Sequence, residues 1–79
     1  MEVPNQISAI ARMIRKDWKN VYFGARPYLQ AMSAINTIND MYGEDSADSI
    51  IRYFLGNAGT WKGETARAVK AKLNALLND

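Results

Sequence analysis

The sequence predicts an all-α fold, a compact four-helix domain, and three observations predict it. Apolar residues recur at helical spacing in four separate stretches, and prolines and glycines gather near their junctions. The third observation is length: 79 residues hold one hydrophobic core and not two. Residues 1–79 are therefore read as a single helical domain, with helices at about 4–18, 27–39, 46–58 and 61–77.

In the first helix Val3, Ile7, Ile10, Ala11, Ile14 and Trp18 fall within about 100° of one another when wound at helical pitch, which marks one buried stripe. Pro4 suits the first turn, where an amide hydrogen has no intrahelical partner. Arg12, Arg15, Lys16 and Lys19 occupy the adjoining arc, so the helix is basic and amphipathic. Asn20 to Arg26 is an aromatic connector ending before Pro27, whose ring disfavours helix at the residue before it. From Pro27 to Asn39 no residue is charged, and Tyr28, Ala31, Met32, Ile35 and Ile38 make a broad apolar face. Such a helix is expected to be central, with Asn36 and Asn39 needing partners if buried.

Met41 to Ser46 holds Gly43 and several acids and reads as a turn. Asp45 or Ser46 can cap the third helix, and Asp48 in its first turn complements the helix dipole. Ala47, Ile50, Ile51, Phe54, Leu55 and Ala58 form its apolar face, with Gly59 expected as its left-handed cap. Thr60 can start the fourth helix, whose first turn Gly63 weakens by about 1 kcal/mol relative to alanine. Its stripe is Ala66, Val69, Leu73, Leu76 and Leu77.

Composition narrows the chemistry. There is no cysteine and no histidine, which removes disulfides, thiol nucleophiles, Cys/His zinc sites and the commonest general base. No catalytic, cofactor-binding or metal-ligating residue is assigned, no cofactor is expected, and the chain is read as not an enzyme. No apolar run approaches the roughly 18 to 20 residues of a membrane span, and polar Asn5 and Gln6 stand where a signal peptide would be apolar, so a cytoplasmic protein is expected. Ten bases against eight acids leave a net charge of only +2, unevenly spread. Residues 1–26 carry +3, Asp40, Glu44, Asp45 and Asp48 form an acidic stretch, and residues 52–72 carry +4.

Two surfaces are candidates for function. The basic arc Arg12, Arg15, Lys16 and Lys19, with Tyr22 and Phe23 just beyond it, suits phosphates and bases, an anionic membrane surface, an acidic protein, or simple solvation. Trp61 falls off the stripe of the fourth helix, and two readings stand. It packs back on the third helix or the aromatic connector, as large aromatics usually do, or it is exposed and anchors a partner-binding patch with Lys62, Arg67 and Tyr53. Arg26 beside a helix start is a weaker candidate for an anion. The acidic stretch lacks the ligand spacing of a calcium loop, and Gly24 near Pro27 is turn punctuation and not a phosphate loop.

The segments VYFGARPYLQAM at 21–32, MYGEDSA at 41–47 and RYFLGNAGTWKGETAR at 52–67 resemble small uncharacterised proteins of bacteriophages and other mobile elements of Gram-positive bacteria, over most of residues 12–77. The resemblance implies no site residues. It implies a context in which small proteins act by binding a host or defence protein, as anti-CRISPR inhibitors do. The expected function is therefore a non-enzymatic helical interaction module, with an inhibitor of a host or defence complex as the specific form, binding through Trp61, Lys62 and Arg67. The alternative is a nucleic-acid-binding accessory or regulatory protein using the arc of the first helix. A homo-oligomeric component is a third reading.

Overall fold

The computed structural model describes residues 1–78. Its order is α1 (Ile7–Asp17), a 3₁₀ turn (Phe23–Ala25), α2 (Arg26–Met32), a hairpin of β1 (Met41–Tyr42) and β2 (Asp45–Ser46), α3 (Ala47–Gly56) and α4 (Glu64–Leu77). The chain is thus mostly helical but not strictly all-α. The two strands pair antiparallel with Met41 opposite Ser46 and Tyr42 opposite Asp45, across the two-residue turn Gly43–Glu44. The expected turn is this hairpin, and its ladder runs on through Ala47 N–H donating to the Asp40 carbonyl at 2.9 Å.

The stripes of α1, α3 and α4 meet in one core. Ile7, Ile10, Ala11 and Ile14 are buried on α1, Ala47, Ile50, Ile51 and Phe54 on α3, and Ala66, Val69 and Leu73 on α4. Helix α2 packs against α1, α3 and the 3₁₀ turn, which gives it the central place its lack of acids and lysines suggests. Ring stacking closes one end of the core. Trp18 lies edge-on to Phe54 at 6.2 Å and parallel to Trp61 at 5.7 Å, both within the range of favourable aromatic pairs.

Four boundaries differ from expectation. Helix α2 ends at Met32 instead of Asn39, because the polar groups that follow bond elsewhere. The Ser33 hydroxyl donates to the Leu29 carbonyl at 3.1 Å, and Ile7 N–H donates to the Asn36 carbonyl at 3.0 Å. The Asn36 side-chain oxygen accepts from Gln6 Nε2 at 2.8 Å and Ser8 Oγ at 3.1 Å. Asn36 therefore ties down the start of α1, where free backbone donors need partners, and is exposed instead of buried in a helix. Helix α1 itself starts at Ile7, beyond Pro4.

At the other two boundaries glycine acts differently from the expectation. Helix α3 ends at Gly56 with Asn57 as its cap, and Gly59 does not adopt a positive φ. Gly63 does, at φ 112° and ψ −177°, and it is the cap before α4, so the helix begins at Glu64 and not near Thr60. Ser46 takes the capping role at α3, its Oγ accepting from Ser49 N–H at 3.2 Å.

Candidate functional site

Trp61 is core. It is 2% exposed, its ring lies 9° from parallel to Trp18, and its indole N–H donates to the Asp17 carboxylate at 2.8 Å. Lys70 clamps it from the far side. The Lys70 ammonium donates to the carbonyls of Ala58 at 2.8 Å and Trp61 at 2.7 Å and stands 5.9 Å from the Trp61 ring centre, a cation–π distance. Partial burial first, and Lys62 nearby second, hold the Lys70 pKa below its ordinary value. Exposure of Trp61 as a partner anchor is thus overturned. The residue satisfies its polar N–H internally, and truncating it would cost about 3 to 5 kcal/mol through the fold.

The rest of the expected patch separates. Lys62 and Arg67 are exposed around the start of α4. Tyr53 is 59% exposed and stacks on Tyr28 of α2 at 5.5 Å between ring centres. Around Tyr53 a different surface forms. The 3₁₀ turn presents Phe23 at 74% and Tyr22 at 44% exposure, their rings 4.8 Å apart. That turn is pressed onto the end of α3: a side-chain carbon added at Gly24 would come within 2.6 Å of both the Asn57 amide oxygen and the Tyr22 ring. Asn57 in turn donates to the Tyr53 carbonyl at 2.8 Å. The turn that carries Tyr22 and Phe23 is thus seated against α3, the helix whose Tyr53 stacks on Tyr28 of α2, and these four rings make up the aromatic face.

Arg12, Arg15 and Lys16 are exposed on α1, and Lys19 is exposed two residues beyond its end, where the chain has left the helix. Arg15 and Lys19 turn toward α2, where they line an open groove of about 420 Å³ with Arg26 and Gln30, over a floor that includes Trp18 and Leu29. Arg26 is held in place by its own Nε donating to the Val21 carbonyl at 3.3 Å. Among the described residues the one ion pair is Arg52 to Asp48, at 2.6 Å, so none of the groove cations is paired with an acid. That pair raises the Arg52 pKa, the hydrogen bond contributing more than the charge.

The acidic stretch has structural work. The Asp40 carboxylate accepts from Asn36 N–H at 2.8 Å, Thr37 N–H at 3.1 Å and the Thr37 hydroxyl at 3.0 Å. These bonds, the Asn36 amide first, hold its pKa below the ordinary 3.8. Among the described residues no cluster of three acids could hold a metal ion, and no helix is long and apolar enough to cross a membrane.

In the sequence Tyr22 and Phe23 stand beside the basic arc and Tyr53 beside the Trp61 patch, and nothing in it joins these to each other or to Arg26. The Tyr28–Tyr53 stack and the Arg15–Arg26 groove are contacts between segments, with no periodicity to announce them. Compared with known proteins, the chain matches no family model, no curated sequence and no solved structure.

Proposed function

We propose that this protein is a non-enzymatic interaction module that engages a protein partner through the aromatic face of Tyr22, Phe23 and Tyr53, with Tyr28 behind them. The observation that carries the reading is selective exposure. The same fold that buries both tryptophans leaves Phe23 at 74%, Tyr53 at 59% and Tyr22 at 44% exposed, with the turn that carries Tyr22 and Phe23 seated against the end of α3. Aromatic side chains offer large contact area at low conformational-entropy cost, and tyrosine is over-represented among residues that dominate binding energy. The ring contacts, tilted for Tyr22–Phe23 and stacked for Tyr28–Tyr53, support this by holding the rings in set positions before binding.

The resemblance to proteins of phages and mobile elements makes a host or defence complex the partner class to try first, and inhibition the first consequence to test. The double variant Phe23→Ala with Tyr53→Ala changes only exposed rings, so the fold is expected to survive while partner affinity falls by at least about tenfold. The check is quantitative co-purification from host cells producing the wild-type chain or the variant, with helical content and melting temperature measured on both. Undiminished recovery of every partner by a folded double variant would remove this face as the contact.

A further inference from the structure

Helix α2 separates two surfaces. Tyr28 turns to Tyr53 of α3, whereas Arg26 and Gln30, one turn apart, face the groove against α1, and Ser33 on the same row meets Arg15 at 3.5 Å. The basic groove is therefore distinct from the aromatic face, and its chemistry is different.

We propose that the groove between α1 and α2 is a nucleic-acid backbone site, in which Arg15, Lys19 and Arg26 contact phosphates independently of sequence, with Arg12 and Lys16 extending the track along α1. The cations are exposed and without acid partners among the described residues, so they are free to exchange counterions for phosphates. Arg15 in the last turn of α1 and Lys19, two residues past its end, line one wall of the groove and Arg26 the opposite wall, while Arg12 and Lys16 stand one turn apart on α1. The groove floor is nearly closed, Trp18 being 7% and Leu29 1% exposed, which leaves no pocket for the apolar anchor that a protein interface centres on. Finally, an amphipathic helix binds a bilayer by inserting its apolar face, and here Ile7, Ile10 and Ile14 of α1 are fully committed to the core. What remains is recognition by charge with Gln30 as an added donor, which fits a phosphodiester chain. Asp17, the one acid at this end of α1, is turned away to the Trp61 indole.

The test is fluorescence anisotropy of a short labelled DNA duplex titrated with the protein across a salt series. Binding is expected at about 25 mM salt, insensitive to base sequence, with log affinity falling against log salt at a slope near −3 for three phosphate contacts. Lys19→Ala removes a side chain that makes no hydrogen bond among the described residues, so it should leave the melting temperature unchanged and reduce the slope by about 0.9. The Phe23→Ala, Tyr53→Ala double variant should bind the duplex as the wild type does, which separates this site from the aromatic face. The proposal is overturned by an unchanged anisotropy at about 100 µM protein in low salt. It is equally overturned if Lys19→Ala and Arg15→Ala both bind as wild type, or if phosphatidylserine-rich vesicles are bound and the duplex is not.

Discussion

Gly63 sets the direction in which α4 leaves the preceding loop, and it does so with a backbone that only glycine adopts without strain. A side-chain carbon placed there would meet nothing within 4 Å, so the cost of Gly63→Ala is conformational and not steric. That cost is about 1 to 2 kcal/mol, and a domain this small loses roughly 4 to 8 °C of melting temperature per kcal/mol. Gly59 is the matched control. It too has open space around it but no positive φ, so Gly59→Ala should be neutral or raise stability by up to about 1 kcal/mol, by restricting the unfolded chain. Thermal melts of the two variants beside the wild type check this, and equal losses would show that the α3–α4 loop tolerates alanine at neither position. Trp61 illustrates the opposite limit of residue-level reasoning. It lies in the loop before α4, so winding it on that helix could not place it, and its burial depends on Trp18 and on an Asp17 bond that spans 44 positions in sequence.

At the scale of elements, what was legible is what repeats. The stripes of α1, α3 and α4 were readable because each helix buries one face on the same core, and burial on one face leaves a 3.6-residue period. The end of α2 was not, because apolar Ile35 and Ile38 continue the period although the backbone has already left the helix after Met32. Asn36 and Asp40 take it out, through bonds to α1 and to Thr37, and such bonds leave no period. The hairpin is two residues a side, too short for alternation to register. The Asp40 turn makes a pH prediction. Its folded pKa is depressed, so as pH falls the unfolded chain takes up the proton first. The turn's contribution to stability is then present above about pH 4 and is lost as pH falls through the lower folded value. Asp40→Asn should lower the melting temperature at neutral pH, modestly because the site is in contact with solvent. Its curve should meet that of the wild type in acid, where the wild-type carboxyl is neutral too. Melts between about pH 6 and pH 2.5 decide it, and curves that stay parallel throughout would mean that the charge of Asp40 is not what holds the turn.

At the scale of the whole molecule, both proposed surfaces hang on one core. Its buried members run from Ile7 to Leu73 without a break into subclusters, and among the described residues no buried side-chain polar atom lacks a partner. Neither the aromatic face nor the basic groove belongs to a unit that could fold alone. The 3₁₀ turn that displays Phe23 is seated on the end of α3, and the groove needs α1 and α2 together. Unfolding is therefore expected to be a single transition. The two tryptophans are stacked on each other where α1 meets the loop before α4, so their fluorescence reports that junction alone, whereas far-UV circular dichroism reports all the helices. In urea the two signals should share one midpoint and one slope of about 1 kcal/mol/M, the low end for small domains, because all parts lose the same core at once. If helical signal were lost while the tryptophan stack persisted, α2 and the hairpin would be a separately melting unit. The aromatic face would then be displayed by a part of the molecule that opens independently of α1 and α4, and the rigid presentation on which its binding role rests would be gone.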